Sequence, residues 1–421
     1  MLGAVIRRLW LAPAAAGVVL VLVVHGAAGG MGCSARVAGA GVGGQFAFLR
    51  GGTLELLRLP DCRLHALVTH GAQAPVAFSP DGRYLAYGAG TLIATRGGAA
   101  PQRPLGWVGF WAWSPRGDQL AAVTRSGAVE LWTPGAGTRL LLGASWGAGG
   151  LAFSPDGRRL VVSKTARKAG VDSGELWRID LGTRASVRLA RVSNALPFVA
   201  GVTPDGADAL FSADPQGSGS IAADGLALEA VPLTGGVLRT LVPSILNYPG
   251  FIAPCGLSMI VTAGAGRESN LGKSLAVLRP PAYRSTTLGL SPGQSWVTPS
   301  CSARGAIAAA AGRSSDNAGF GLQHRSIWLI PTPGAPAVRL TNPGPLRMSD
   351  ELPRMAGDGR YILFVRAVSG GGAVQHGQLE LIALGRHGHS RLIGPIAQLG
   401  SAGIGYYDHY PWSSVTAWSP R

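Results

Sequence analysis

Short runs of alternating apolar and polar residues, each ended by glycine or proline, recur along most of the chain. The runs YLAYG (84–88), QLAAVT (119–124) and YILFVRA (361–367) fit the two-residue period of strands that bury one face. Beyond the first thirty residues, apolar positions almost never recur at the spacing of an amphipathic helix. The 64 glycines and 29 prolines stand between the runs, where turns need them. The pattern predicts an all-β protein.

One short phrase returns between pairs of these runs, as FSPDGRYL (78–85), WSPRGDQL (113–120), FSPDGRRL (153–160) and VTPDGADAL (202–210). Proline presets φ for a β-turn, aspartate bonds its own backbone, and glycine accepts the positive φ at the exit. We interpret each copy as the hairpin turn between the first and second strands of a four-stranded sheet. Looser copies are predicted at Pro254, Pro299, Ala356–Gly359 and Trp418–Pro420.

The turns recur at a period of ~35–63 residues, which is typical of the blades of a β-propeller. Third strands follow the turns, for example AVELW (128–132) and GELWRIDLG (174–182). Residues 46–67 supply three predicted strands of a sheet whose first strand is missing. Trp418 lies in a predicted first strand that no further strand follows. We therefore predict that the two ends share one blade and close a single propeller. The count gives eight blades, with seven as the alternative.

FSPDGRRL followed by GELWRIDLG resembles the TolB-type, WD-repeat-like propeller repeat, which also builds the propeller of prolyl-oligopeptidase-like enzymes. The resemblance covers residues 46–421 and implies a β-propeller of four-stranded blades. It implies no particular activity, because this scaffold carries many functions. Neither the N-terminal α/β domain of TolB nor the C-terminal hydrolase domain of the peptidases is expected in this chain.

The first thirty residues have a different pattern. Arg7 and Arg8 precede an apolar run (9–24), and small residues then lead to Cys33, which is the layout of an export signal. We predict a signal peptide over residues 1–32, a glycine-rich linker over 33–45 and the propeller over 46–421. The alternatives are an uncleaved membrane anchor and a lipoprotein whose lipid is carried by Cys33. The expected location is extracellular, periplasmic or cell-surface attached, with membrane contact only through the N-terminal segment or a lipid anchor.

An exported protein can form disulfides, and this chain has four cysteines. Cys255 and Cys301 stand at similar turn positions, IAPCG and TPSCS, in consecutive repeats. We expect any disulfide to join these two residues. Two isolated thiols are the alternative, because connectivity does not follow from sequence.

The formal net charge is +16, and Lys164, Arg167 and Lys168 belong to one basic patch. Such a patch would favour anionic lipid headgroups or cell-wall polymers. The alternative, an ordinary solvated face, is slightly favoured, because arginines elsewhere are scattered among the strands. Nucleic acid is not expected as a partner outside the cell.

The predicted loops between second and third strands lengthen from residue 163 onward, on the face where the loops between blades also lie. The longer loops on this face favour a binding surface around the channel mouth. The alternative is that the loops vary in length without a function, because mobile loops tolerate insertions. Aromatic residues and a few carboxylates there suit a pocket for a peptide end or a polar small molecule, or they pack between blades. The predicted binding residues are Trp107, Trp146, Tyr248, Asp350, Glu351, Asp408, His409 and Tyr410.

Motifs for metal or cofactor chemistry are weak. There is no H-E-x-x-H and no C-x-x-C, and GAGVGG (39–44) and NLGKS (270–274) lack the strand–loop–helix context of nucleotide loops. We predict no catalytic residues, no metal site and no cofactor. The favoured function is an exported, monomeric, non-catalytic propeller that binds an envelope protein, a peptide or a polar small molecule. The alternative is a hydrolase or lyase with a carboxylate site at the channel mouth, assisted by a divalent cation.

Overall fold

The computed structural model describes residues 42–59, 61–98, 100–168, 171–215, 218–246, 250–314, 324–344, 348–369, 374–385, 390–403 and 412–419. Nearly all regular structure in these ranges is antiparallel β. The exceptions are two short helices, α1 (Gly219–Ala223) and α2 (Trp412–Val415), and a 3₁₀ turn at Ala144–Trp146. The prediction of an all-β protein is confirmed. None of the helices in these ranges is long and apolar enough to cross a membrane.

The strands up to residue 193, with the last strand of the chain, form four separate sheets, which we number as groups 1 to 4. Group 1 contains β1 (Gly44–Arg50), β2 (Thr53–Leu59), β3 (Arg63–Val68) and β31 (Thr416–Ser419). Group 2 contains β4 (Val76–Phe78), β5 (Tyr84–Tyr87) and β6 (Thr91–Ala94), and a single bridge at Gln102 follows them. Group 3 contains β7 (Val108–Trp113), β8 (Leu120–Thr124), β9 (Val129–Thr133) and β10 (Gly137–Leu142). Group 4 contains β11 (Ala148–Phe153), β12 (Arg159–Lys168), β13 (Val171–Asp180) and β14 (Ser186–Ser193).

Four further groups follow along the chain. Group 5 contains β15 (Ala195–Val202), β16 (Asp208–Pro215), β17 (Leu226–Pro232) and β18 (Arg239–Ile245). Group 6 contains β19 (Ile252–Cys255), β20 (Ser258–Ala263), β21 (Ser274–Arg279) and β22 (Arg284–Thr287), and one pairing of Ile245 with Ala263 joins it to group 5. Group 7 contains β23 (Gln294–Cys301), β24 (Ile307–Arg313), β25 (Ser326–Ile330) and β26 (Val338–Arg339). Group 8 contains β27 (Met348–Met355), β28 (Tyr361–Ser369), β29 (Val374–Leu384) and β30 (Ser390–Gly403).

The two ends of the chain meet in group 1. Strand β31 pairs antiparallel with β1, so that Trp418 lies opposite Phe46 and Ser419 lies opposite Gln45. This confirms the prediction that the terminal strands share one sheet. Strand β1 begins at Gly44, two residues before the predicted start of the propeller, and Val42 is already buried.

Eight hydrophobic clusters join the groups in a closed cycle. Each cluster takes its side chains from two consecutive groups, and one of them joins group 8 back to group 1. Along β1, Phe46 and Phe48 pack towards group 8, whereas Ala47 packs towards group 2. First strands of neighbouring groups also contact each other, as they do around the channel of a propeller. The fold is a β-propeller; the eight described groups match the expected number of blades, and the blade count stays a prediction.

The middle strands are buried on both faces rather than on one. Residues Leu120, Ala121 and Ala122 of β8 are all inaccessible to solvent. Every sheet lies between two others, so consecutive side chains of a middle strand enter different hydrophobic clusters. Alternation along such a strand therefore distinguishes its two buried faces and does not indicate an exposed one. The expectation of half-buried strands is therefore wrong for these strands. It fits the fourth strands better, since residues of β14 alternate between exposed and less exposed positions.

The repeated turn phrase has one geometry in three copies. In the copy at 153–160, Ser154 Oγ donates to Asp156 Oδ1 at 2.5 Å, and the same oxygen accepts the Arg158 backbone N–H at 3.0 Å. The hydrogen bond from Ser154 lowers the pKa of Asp156. Gly157 follows with φ of 66°, which a side chain would strain. Equivalent contacts occur at residues 79–83 and 203–207.

The turns of neighbouring groups pack against one another, which explains why the phrase is repeated. A Cβ on Gly157 would lie 2.9 Å from Ser114 Oγ in the turn of group 3, and one on Gly117 would lie 3.0 Å from Asp81 in group 2. Each glycine is therefore required by contact as well as by its φ. The turns form a continuous set along the groups rather than independent loops.

Two of the looser turn assignments are wrong. Pro254 lies within β19 and Pro299 lies within β23, and the hairpin turns come later, at residues 256–257 and 302–305. Pro299 falls where the pairing of β23 shifts register between Val297 and Ser300, a position that tolerates the missing N–H. Beside these strands, Cys255 and Cys301 form a disulfide with Cα atoms 5.3 Å apart, which is the pairing that the sequence favours.

Candidate functional site

Several of the predicted binding residues lie outside the described ranges. These are Tyr248, Asp408, His409 and Tyr410, and Cys33 lies outside them as well. Arg167 and Lys168 are placed by their backbone in β12, opposite Asp172 and Val171.

Trp146 and Lys164 form a packed unit in group 4. The Trp146 ring lies edge-on to Trp177 with centroids 4.9 Å apart, and Lys164 Nζ lies 4.9 Å from the Trp146 centroid. Trp146 is only half-buried, so the cation–π contact fixes its position at the surface. Lys164 therefore covers an aromatic ring, and its part in a basic patch stays a prediction.

Asp350 and Glu351 are buried partners of two ion pairs. Asp350 is inaccessible and accepts two hydrogen bonds from Arg366, at 2.7 and 3.0 Å. Glu351 accepts two from Arg325 Nη1, at 3.0 and 3.1 Å, and both of these side chains are buried. A carboxylate so occupied is not available to a ligand. The ion pairs give these two residues a structural role, and their contact with a ligand stays a prediction.

The ion pair of group 7 is part of a wider buried polar network. Arg325 Nη2 donates to Ser269 Oγ at 2.8 Å, and the Ser269 carbonyl accepts from Ser295 Oγ at 3.1 Å. Lys273 donates to the carbonyls of Ala265 and Gly266, each at 2.7 Å, and burial lowers its pKa to about 8. The network thus ties the long loop of group 6 to groups 7 and 8.

Glu380 lies beside the second buried arginine. Its Oε1 is 3.9 Å from Arg366 Nη1, and its carboxyl group is almost completely buried. Burial raises the pKa of Glu380 to about 7, although Arg366 acts in the opposite direction. The charge of the group 8 network therefore changes near neutral pH.

An open cleft of about 420 Å³ lies at groups 1 and 2 and contains Trp107. Its walls come from the loop after β3, the end of β5 and the segment that follows β6. Trp107 is 62% exposed, which makes it one of the most exposed large apolar side chains in the described part of the chain. The lining residues are Val68, His70, Gly71, Gln73, Tyr87, Gly88, Ala89, Thr91, Pro101, Gln102, Arg103 and Trp107.

Arg103 holds the aromatic side of the cleft in place. Its guanidinium carbon lies 4.3 Å from the Trp107 ring centroid, and its Nε and Nη2 donate to Thr91 Oγ1 at 3.2 and 3.1 Å. One face of the indole is thereby covered by a cation while the side chain stays largely exposed. Such an arrangement presents a rigid aromatic surface at low entropic cost.

The remaining polar groups of the cleft are neutral or cationic. His70, Gln73 and Gln102 are exposed along the wall, and burial raises the pKa of Tyr87, whose hydroxyl stays protonated at neutral pH. Among the described residues, no aspartate or glutamate lines the cleft. Its chemistry is that of aromatic stacking and hydrogen bonding to a polar ligand.

Sequence reasoning found Trp107 but not its neighbours. The segments HGAQ (70–73) and QRPLGW (102–107) are polar loop sequences of an ordinary kind, and only the fold brings them together. The loop between the second and third strands is short in group 2, at residues 88–90, and it leaves the cleft open. The long loop of group 6, which suggested the binding face, is instead secured by the buried network.

Two further features bear on catalysis. Residues 289–293 read G-x-S-x-G, but Ser291 is exposed in the link between β22 and β23, without the strand–turn–helix setting of a nucleophile. Across the described ranges, no three His, Cys, Asp or Glu side chains come together as a metal site would need.

Known structures share this fold at low sequence identity. TolB from Acinetobacter baumannii aligns at 15% identity over 90% of this chain and 67% of that one, with a TM-score of 0.37. Dipeptidyl peptidase 4 from Porphyromonas gingivalis aligns at 10% identity over 87% and 60%, with a TM-score of 0.59. The propeller domain of the Trilobed protease from Pyrococcus furiosus aligns at 10% over 76% and 95%, with a TM-score of 0.38.

These likenesses define a class and no more. The chain spans 60% of the length of the peptidase it resembles, and the shared part shows the β-propeller fold alone. The chain is a β-propeller similar to TolB-like propellers. No protein-family model and no curated protein sequence matches it.

Proposed function

We propose that this protein is an exported, non-catalytic β-propeller that binds a peptide or another polar ligand of the cell envelope in the cleft beside Trp107. The observation that carries the proposal is the exposed indole of Trp107, braced by Arg103 and surrounded by hydrogen-bonding groups. Aromatic side chains with an arginine are the usual anchors of binding surfaces. The rest of the propeller serves to hold these loops.

Export is supported by the state of the cysteines. Cys255 and Cys301 form a disulfide, Cys62 is also disulfide-bonded, and none of the cysteines in the described ranges is a free thiol. Disulfides persist in extracellular and periplasmic compartments and are rare in the cytosol. This agrees with the export signal expected over residues 1–32.

A binding role is favoured over hydrolysis because the two described acids that were candidates for a site, Asp350 and Glu351, are engaged in ion pairs. Asp350 and Glu351 are held by arginines, and the described residues that line the cleft include no acidic side chain. Acid–base catalysis needs a titratable group within hydrogen-bond reach of the substrate. A hydrolase or lyase built on Asp350 and Glu351 would need these carboxylates to leave their ion pairs.

Affinity capture from an envelope extract tests the proposal. Trp107→Ala is expected to reduce capture of the bound partner about tenfold or more, because loss of a central aromatic anchor typically costs ~2 kcal/mol or more of binding energy. Leu257→Ala is the matched control, since Leu257 is 61% exposed and lies in the turn of group 6, away from the cleft. Equal capture by the wild-type protein and Trp107→Ala would refute a ligand site in this cleft.

A further inference from the structure

The backbone around the cleft at groups 1 and 2 is hydrogen-bonded within the protein. Leu92 and Gln102 exchange two backbone hydrogen bonds, at 2.7 and 2.8 Å. The Gly88 N–H donates to the Pro75 carbonyl at 2.9 Å, and the Gly88 carbonyl accepts from Trp111 Nε1 at 3.0 Å. A peptide that binds by strand addition needs free N–H and C=O groups along a sheet edge. At these positions the cleft therefore offers a ligand its side chains and not a free strand edge.

One face of the Trp107 indole is available for stacking. The Arg103 guanidinium carbon lies 4.3 Å from the ring centroid and covers the other face. The Trp107 side chain is nevertheless 62% exposed, and an exposure this large requires that the uncovered face is open to solvent. The face of an aromatic ring is electronegative, so it attracts weakly positive C–H groups. A sugar ring provides a flat array of such groups, which packs against the open face of the indole.

The hydrogen-bonding side chains near Trp107 complement hydroxyl groups. Gln73, Gln102 and His70 are exposed in the wall of the cleft. A Cβ on Gly88 would lie 3.5 Å from Gln73 Cβ, so Gln73 stands beside the end of β5. A side-chain amide both donates and accepts hydrogen bonds, and a sugar hydroxyl does the same. The cleft thus joins an aromatic platform to amides that suit a ligand rich in hydroxyls.

We propose that the ligand of the cleft is a glycan, with a glucose-type pyranose ring stacked on Trp107 and its hydroxyls bonded by Gln73 and Gln102. In β-linked glucose-type chains the ring substituents are equatorial, so that both faces of each ring present C–H bonds to the indole. The cleft volume of about 420 Å³ lies in the range of small-ligand sites, and the open side leaves room for the rest of a longer chain. This inference rests on the function proposed above and narrows its ligand to one chemical class.

Calorimetric titration of the purified protein with cellotriose and with chitotriose tests the inference. Trp107→Ala is expected to weaken binding about tenfold or more, whereas Trp107→Phe keeps an aromatic face and should bind within about threefold of the wild type. Gln102→Leu should weaken binding about fivefold, because it removes hydrogen bonds to hydroxyls. Leu257→Ala is the control and should bind as the wild type does. Tighter binding of chitotriose would show recognition of its acetamido groups, and tighter binding of cellotriose would show recognition of unmodified hydroxyls.

Competition during capture from an envelope extract separates this inference from the proposed function. An excess of the tighter-binding trisaccharide should abolish the Trp107-dependent capture. If that capture occurs but neither trisaccharide binds, the glycan inference is overturned and the binding function stands; loss of capture after protease treatment of the extract would then identify a peptide. Trisaccharide binding that Trp107→Ala leaves unchanged would also overturn the inference. Absence of both trisaccharide binding and Trp107-dependent capture would refute the inference and the proposed function together.

Discussion

A chain that ends at residue 411 does not accumulate as a folded monomer. Removal of the last ten residues deletes β31, which pairs with β1, and the buried residues Trp412 and Thr416. Trp412 lies against Gly377 of group 8, where a Cβ would approach its ring to 2.3 Å, so this segment also links group 8 to group 1. The truncation therefore opens the cycle of clusters at one point.

The expected size of this effect exceeds the stability of the protein. Truncation of one buried tryptophan typically costs ~3–5 kcal/mol, and whole domains are stable by only ~5–15 kcal/mol. Loss of β31 also exposes the edge of β1, which then becomes a template for aggregation. Size-exclusion chromatography of the soluble fraction measures the outcome. A chain that ends at residue 419 is the control and should fold; a soluble, cooperative monomer ending at residue 411 would contradict the account.

Arg325→Met lowers the free energy of unfolding by ~3–5 kcal/mol. The substitution leaves Glu351 buried without its partner, and breaking a buried ion pair from one side typically costs this much. Burial already raises the pKa of Glu351, against the effect of Arg325. A carboxyl group with a raised folded-state pKa destabilises the protein as pH rises above its unfolded pKa, so the loss should be larger at pH 8 than at pH 5.

Urea unfolding at the two pH values measures this effect. Arg83→Met is the matched control, because it also breaks an ion pair, with Asp81, but the Arg83 side chain is 68% exposed and exposed ion pairs contribute little to stability. The double variant Arg325→Met/Glu351→Met should regain most of the stability, because it leaves no isolated charge. A loss no larger for Arg325→Met than for Arg83→Met would show that the network contributes little.

The parts of the fold that the sequence predicts are those determined by local chemistry. The phrase Ser-Pro-Asp-Gly specifies its own turn through a side-chain hydrogen bond and a positive φ, and these contacts form in the structure between residues 154 and 158. The closure through the strand that contains Trp418 was also predictable. That strand has no following strands to complete its sheet, and the N-terminal three strands have no first strand, so the two ends complete each other. Pro254 and Pro299 mislead because a proline also fits a strand end or a bulge.

The candidate sites could be predicted only in part, because they depend on contacts between distant residues. Asp350 and Glu351 resemble ligand-binding acids in the sequence, since their partners Arg366 and Arg325 lie 16 and 26 residues away. Trp107 was identified as an aromatic loop residue, but its support by Arg103 and Thr91 follows from the course of the chain after β6.

Closure of the propeller by the terminal strands is the central claim, and a cross-strand disulfide tests it most directly. Gln45 and Ser419 lie opposite each other in the register of β1 and β31, and opposed residues in antiparallel strands have Cα atoms close enough for a disulfide. In Gln45→Cys/Ser419→Cys, mild oxidation should produce a cross-linked chain that migrates faster on a non-reducing gel. Arg50→Cys/Ser419→Cys should not, because Arg50 lies beyond the residues of β1 that pair with β31 and five positions from the partner of Ser419. Failure of the first pair to cross-link, or equal cross-linking of both pairs, would contradict the closed propeller.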